Sequence, residues 1–110
     1  MAEQPQEGTG ALPYREELFA GRTALRLSEH ALREAHKEGL RGRDIVYAIF
    51  TGEVVERYPH RRRALISGPY RGSDLHLHIV CDYSDYDEIV VATVYIPSRS
   101  RWSSHRQRRH

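Results

Sequence analysis

Two stretches of the chain place side chains that bind phosphate or transfer protons at a spacing typical of β-strands. His76 and His78 alternate in HLHIVCD, and Thr93 and Tyr95 alternate in TVY. Because alternate strand residues point to the same face, each pair can lie on one face of a sheet. Imidazole exchanges protons near neutral pH, and hydroxyl groups hydrogen-bond to phosphate oxygens. We predict a polar sheet face suited to phosphate chemistry. The alternative is the ordinary wetted face of an antiparallel sheet.

Basic side chains that could hold a phosphate occur close to these strands. Arg61, Arg62 and Arg63 follow Tyr58, and Arg71 lies in the next turn. Guanidinium groups match the geometry of phosphate oxygens, which makes Arg61, Arg63 and Arg71 candidate phosphate ligands. The same run is also typical of the solvated start of a strand.

The chain lacks the sequence motifs of several other kinds of catalytic or metal site. The sequence has no glycine-rich phosphate loop, HExxH motif, paired-cysteine motif or GxSxG motif. His76 and His78 could ligate a metal, but no third ligand stands at a fitting spacing, so we predict neither metal nor cofactor. Cys81 is the only cysteine, which excludes an internal disulfide, and we expect it in the core.

The net charge of +2 does not by itself indicate a nucleic-acid partner, because the C-terminal tail accounts for all of it. Without residues 99–110 the chain has 12 basic and 15 acidic residues. The tail contains Trp102 and could contact RNA backbone, bind a partner or remain disordered. Only local clusters of charge therefore bear on function.

A helical period predicts two helices joined by a short turn. LSEHALREAHKEGL, residues 27–40, has Ser28 as a candidate N-cap and Gly39 as a candidate left-handed C-cap. The predicted inward stripe of this helix contains Ala31, Leu32 and Ala35. His30 lies in the first turn, where the pattern favours an ordinary exposed residue over a catalytic one. A second helix is predicted to follow and to stop at Gly52.

A period of two replaces the helical period after Gly52. We predict four strands with short connections, at residues 53–59, 62–68, 74–83 and 87–97. In the last strand, Val90, Ala92, Val94 and Ile96 are predicted to face the helices. The predicted fold class is α+β, with N-terminal helices packed on one face of a four-stranded antiparallel sheet.

The predicted organisation is one domain between two terminal segments. Residues 1–13 are expected to be disordered, residues 14–98 to form the domain, and residues 99–110 to form the basic tail. No apolar run is long enough to cross a bilayer, and the N-terminus lacks the features of a signal peptide, so we expect a cytoplasmic protein.

Several motifs resemble a bacterial domain family found beside YgiT-type zinc-finger antitoxins and, more distantly, the MqsR toxins of the RelE-like superfamily. The matching pieces are SEHA at 28–31, EGL at 38–40, TGEVVERYP at 51–59 and TVYIP at 93–97, followed by Trp102. The resemblance covers about residues 18–102. It implies a RelE-like or barnase-like fold.

The resemblance also implies a function, that of a type II toxin. Such toxins are metal-independent endoribonucleases that cleave mRNA with its 2′-hydroxyl as nucleophile, and a co-encoded antitoxin neutralises them. The partner that the resemblance implies is an antitoxin of the YgiT or MqsA zinc-finger type. His30, Thr93 and Tyr95 are the best-matched catalytic positions, and Tyr58 is a further recurrent position. His30, His78, Thr93 and Tyr95 form the predicted catalytic site. Tyr58 and His76 join the three arginines as predicted RNA or phosphate ligands. The lysine and glutamine associated with the MqsR active site have no secure counterpart here.

Two other functions remain open at this stage. A binding module of the same fold would dock RNA or a protein without catalysis, and a metal-dependent nuclease would use His76 and His78.

Overall fold

The computed structural model describes residues 18–97 of the chain. The elements run in the order β1 (Ala24–Leu27), α1 (Glu29–Glu38), α2 (Gly42–Thr51), β2 (Glu53–Tyr58), a 3₁₀ turn (Pro59–Arg61), β3 (Arg63–Pro69), β4 (His76–Asp82) and β5 (Glu88–Tyr95). The predicted boundaries of the domain and of its terminal segments stay predictions. Residues 1–13 and the tail 99–110 lie outside the described part.

The strands of residues 18–97 form one five-stranded mixed sheet in the order β1-β5-β4-β3-β2. Strand β1 pairs in parallel with β5, and the other neighbours are antiparallel. The predicted RelE-like or barnase-like arrangement of N-terminal helices on a four-stranded antiparallel sheet is therefore wrong. Strand β1 precedes both helices and has only four residues, too few to show an alternation in the sequence.

Helix α1 has the caps that its sequence predicts. The Ser28 hydroxyl accepts a hydrogen bond from the backbone N–H of Ala31 at 3.0 Å. Gly39 is left-handed, with φ of 74°, and the following N–H of Leu40 donates to the carbonyl of Ala35 at 2.8 Å. Ala31 and Ala35 are buried, but Leu32 is 54 % exposed, so its predicted inward position is wrong.

Helix α2 lies against β3 at two glycines. A Cβ on Gly68 would stand 1.9 Å from the carbonyl oxygen of Ala48, and a Cβ on Gly52 would stand 2.5 Å from the carbonyl oxygen of Ser67. Only residues without a side chain permit this approach of helix to strand. The two glycines thus set the distance between α2 and the sheet.

The core joins both helices to one face of the sheet. Its sheet members include Ile66, Leu77, Ile79 and Cys81, so the predicted burial of Cys81 is confirmed. On β5 the buried residues are Ile89, Val91 and Val94, because the pairing with β4 shifts by one residue at Ala92. A one-residue bulge exchanges the two faces of a strand. The predicted inward positions of Val90 and Ala92 are therefore wrong. Those of Val94, which is buried, and of Ile96, which packs against the core, are confirmed.

The two helices have ten residues each. Across residues 18–97, no helix is long and apolar enough to cross a membrane.

Candidate functional site

The sheet face opposite the core carries most of the predicted site residues, and we name it the open face. The register assigns side chains to it, because residues paired across strands point to the same side. The rows of pairs on this face are Ser67, His78 and Tyr95; Glu56, Leu65, Val80 and Thr93; and Tyr58, Arg63 and Asp82. The predicted grouping of His78, Thr93 and Tyr95 on one face is therefore observed, with the β5 bulge placing Thr93 and Tyr95 on this side.

His78 and Tyr95 are direct neighbours across β4 and β5. The Nδ1 atom of His78 and the hydroxyl oxygen of Tyr95 lie 3.2 Å apart and share a hydrogen bond. The two rings meet edge to face, with centroids 5.3 Å apart and planes at 70°. His78 is 7 % exposed and Tyr95 is 37 % exposed, so the imidazole lies inside the face while part of the tyrosine reaches solvent. This pair can move a proton between a buried base and the surface.

Glu56 and Tyr58 form a second pair on the open face. The register of β2 against β3 shifts between Val54 and Glu56, and this bulge directs Glu56 and Tyr58 to the same side as Leu65 and Arg63. The Tyr58 hydroxyl donates a hydrogen bond to Glu56 Oε1. Burial, then Glu56, and to a smaller extent Tyr95, raise the pKa of Tyr58 to about 12. Tyr58 therefore keeps its proton at neutral pH and acts as a hydrogen-bond donor.

The sequence analysis did not identify Glu56. The only signal in the sequence was its position two residues before Tyr58 in EVVERY, which places both on one strand face in a regular strand. The register places both pairs on the open face, with Glu56 and Tyr58 on β2 and with His78 and Tyr95 on β4 and β5.

The predicted phosphate-binding arginines fall into different surroundings. Arg63 lies on the open face, where its Nε is 3.0 Å from Asp82 Oδ2. Burial opposes ionisation of Asp82, but hydrogen bonds from Ser84 and Arg63 lower the pKa of Asp82 below its ordinary value. Arg71 instead lies over the ring of Tyr47 on α2, 5.3 Å from its centroid. The structure thus places Arg71 beside a helix and away from His78 and Tyr95.

Arg61 and His76 lie at the margins of the open face. Arg61 ends the 3₁₀ turn that follows Tyr58, is exposed, and forms no ion pair with any residue between 18 and 97. His76 is exposed at the start of β4, two residues before His78 and on the same side. Of the three arginines predicted to bind phosphate, Arg61 is therefore the one that no ion pair or ring contact within residues 18–97 occupies.

The structure places His30 on the exposed side of α1. Its Nε2 lies 4.0 Å from Glu34 Oε2, and its side chain is 55 % exposed. Helix α1 packs on the core face of the sheet, whereas His78 and Tyr95 lie on the opposite face. The start of α1 nevertheless lies beside the bulge of β5, because the Ser28 hydroxyl donates to the carbonyl of Ala92 at 3.2 Å. None of the described contacts joins His30 to the open face, and its catalytic role stays a prediction.

No three histidine, cysteine, aspartate or glutamate side chains are grouped to hold a metal ion within residues 18–97. The two hydrogen-bonded pairs of the open face consist of two tyrosines, one histidine and one glutamate. These are proton donors and acceptors, and that is the chemistry that the arrangement offers.

Comparison with known families gives one match. Residues 27–96 match the family described as "Domain of unknown function (DUF4258)". The chain belongs to this family. The matched region extends from the last residue of β1 to the residue after β5, and so contains both helices and the whole open face. The chain matches no curated protein and no solved structure.

Proposed function

We propose that this DUF4258 domain is a metal-independent endoribonuclease that cleaves mRNA, with the RNA 2′-hydroxyl as nucleophile. The observation that carries the proposal is the pairing of His78 with Tyr95 on the same face as the pairing of Glu56 with Tyr58. Cleavage of this kind needs a base for the 2′-hydroxyl, a proton donor for the leaving 5′ oxygen and stabilisation of the charged phosphorane. The open face holds residue types for the first two roles, and Arg61 supplies a cation for the third.

Each pair has a role in this proposal. Glu56 takes the proton of the 2′-hydroxyl, and the Tyr58 hydroxyl holds its carboxylate in place. His78 protonates the leaving oxygen through the Tyr95 hydroxyl, which is bonded to Nδ1 and passes one proton to the leaving oxygen as it takes another from the imidazole. The attacking oxygen forms a bond to phosphorus while the bond to the 5′ oxygen breaks, so the products are a 2′,3′-cyclic phosphate and a 5′-hydroxyl.

The resemblance to MqsR and other RelE-like toxins supports a physiological setting for this activity. We propose that the chain is the toxin of a type II toxin–antitoxin system and that an antitoxin of the YgiT or MqsA zinc-finger type neutralises it. The open face is the surface that such a partner has to cover to stop cleavage.

A non-catalytic binding module is the second candidate function. It is favoured by the pairing of Arg63 with Asp82 and the stacking of Arg71 on Tyr47, since both contacts occupy cations that a phosphate would otherwise use. In that case the open face binds RNA or a protein partner, and Tyr58 and Tyr95 contribute aromatic contacts.

Cleavage of a labelled single-stranded RNA in the presence of EDTA tests the proposal. The proposal predicts that wild-type protein leaves 2′,3′-cyclic phosphate ends. His78→Ala and Glu56→Gln each lower the single-turnover rate by about 100-fold or more, the range for loss of a proton-transfer group. Absence of cleavage in folded wild-type protein, with RNA binding retained, moves the assignment to the binding module. Activity that needs an added metal ion contradicts the metal-independent mechanism.

Two further variants test where the chemistry takes place. Tyr86→Phe changes an aromatic residue that is 79 % exposed in the β4–β5 loop, outside the open face, and should leave the rate unchanged. His30→Gln tests the site on α1 separately. A large effect of His30→Gln with none from His78→Ala places the chemistry at the start of α1 and contradicts the roles proposed for the open face.

A further inference from the structure

Two exposed surfaces outside the open face have complementary properties. The first is an apolar ridge on α2 formed by Val46, Tyr47 and Phe50, which are 38, 36 and 49 % exposed. The second is the turn of residues 84–87 between β4 and β5, which carries Tyr86. Exposed apolar groups that are clustered on a helix often mark an interaction surface.

The α2 ridge is bordered by positive charge. Arg43 precedes Val46 by three residues and Tyr47 by four, so it lies on the same side of the helix. Arg43 forms no ion pair with any residue of the described chain. Arg71 stacks on Tyr47 with its guanidinium carbon 5.3 Å from the ring centroid. A partner for this ridge therefore needs an apolar or aromatic group next to carboxylates.

The turn of residues 84–87, which we name the Tyr86 loop, carries an aromatic group next to carboxylates. Tyr86 is 79 % exposed, the highest value among the large apolar side chains of residues 18–97, and it lies between Asp85 and Asp87. The carboxylate of Asp87 forms no ion pair within the same range. An exposed tyrosine between two carboxylates can fill an apolar surface and meet arginines at its edge.

Hydrogen bonds within the Tyr86 loop and to its backbone carbonyls also hold this loop in place. The guanidinium of Arg22 donates to the carbonyls of Tyr83 and Asp85, at 2.7 and 3.2 Å. The N–H of Asp87 donates to Asp85 Oδ1 at 2.7 Å, and the N–H of Thr23 donates to the carbonyl of Asp87 at 2.8 Å. A loop fixed before binding loses little conformational entropy when it docks.

We infer that the chain binds a second copy of itself by docking the Tyr86 loop of one copy on the α2 ridge of the other. Both surfaces belong to this chain, so a second copy supplies a partner with the required aromatic side chain and negative charge. The Tyr86 ring covers Val46 and Phe50, and Asp85 and Asp87 face Arg43 and Arg71. This contact uses neither His78 nor Tyr95 and is independent of the proposed nuclease function.

Sedimentation velocity of the full chain over a concentration series tests the inference. Wild-type protein self-associates, and added salt weakens the association because the contact is charged at its border. Tyr86→Ser and Val46→Ser each raise the dissociation constant about tenfold or more, as for truncation of an interface anchor. Leu32→Ser is the matched control, since Leu32 is 54 % exposed but lies on α1, outside both surfaces, and its loss leaves association unchanged.

A mixing experiment tests the pairing of the two surfaces directly. The Tyr86→Ser variant retains an intact α2 ridge, and the Val46→Ser variant retains an intact Tyr86 loop. Their mixture associates more strongly than either variant alone. A second pair of substitutions changes charge without removing an apolar side chain. Arg43→Glu and Asp87→Lys each weaken association, and the double variant recovers it. A wild-type chain that stays monomeric at about 100 μM, where a micromolar contact is occupied, overturns the inference. Association that none of these four substitutions alters also overturns it.

Discussion

Replacement of Gly68 by alanine is predicted to destabilise the domain strongly because it separates α2 from the sheet. The new Cβ would stand 1.9 Å from the carbonyl oxygen, 2.6 Å from the carbonyl carbon and 2.8 Å from the Cα of Ala48. An ordinary contact is about 3.4 Å, so the two backbones must move apart by about 1.5 Å. No side-chain rotation relieves this contact, because all three atoms belong to the backbone of α2.

The expected loss follows from the packing of this region. Overpacked core positions commonly cost about 1 to 3 kcal/mol, and a shift of a whole helix places Gly68→Ala near 3 kcal/mol. For a domain of this size, that loss lowers the Tm by roughly 12 °C or more. Urea unfolding followed by circular dichroism measures the free energy of unfolding directly.

Two further variants test the stated cause. Gly42→Ala is the matched control, because a Cβ at Gly42 meets nothing within 4 Å, and alanine is the better helix former by up to about 1 kcal/mol. Adding Ala48→Gly to Gly68→Ala should not restore stability, because it leaves the clashing backbone atoms in place. A Gly68→Ala variant within about 0.5 kcal/mol of wild type, or one rescued by Ala48→Gly, would refute the reasoning.

Three other predictions concern stability. Arg22→Lys should cost about 2 kcal/mol in urea unfolding, because an ammonium group cannot replace the guanidinium bonds to three carbonyls, and an unchanged midpoint argues against this role. Ser28→Ala should cost about 1 to 2 kcal/mol through loss of the N-cap and of the bond to β5, and a neutral effect contradicts it. Burial raises the pKa of Cys81 from 9.0 to about 12, so the unfolded chain loses this proton first as the pH rises. Between pH 9 and 12 the wild type should therefore lose about 1.4 kcal/mol per pH unit more than Cys81→Ala, and parallel pH profiles contradict this.

Local features of the fold were predictable from the sequence because short-range chemistry determines them. Ser28 and Gly39 bound α1 as predicted, since capping depends on residues three or four positions away. The parallel pairing of β1 with β5 was not predictable in this way. Leu25 pairs with Ile89, more than sixty residues later, and four residues carry too little pattern to indicate such a partner.

The open face shows the same division between local and long-range information. Alternation along β4 placed His78 on it, and Thr93 and Tyr95 also lie there. The prediction that Val90 and Ala92 face the helices is wrong because a bulge at Ala92 exchanges the faces within β5. Glu56 was missed for a related reason. Its spacing from Tyr58 indicates a shared strand face, but only the register of β2 shows that this face is the open face.

The most direct test of a catalytic open face is the single-turnover rate of RNA cleavage by Tyr95→Phe compared with wild type. This substitution removes one hydroxyl group, the one bonded to His78 Nδ1, and keeps the ring that packs against the imidazole. The proposed mechanism predicts a rate at least about tenfold lower, with RNA binding and the free energy of unfolding nearly unchanged. An unchanged cleavage rate in folded Tyr95→Phe protein contradicts the assignment of the open face as the catalytic site.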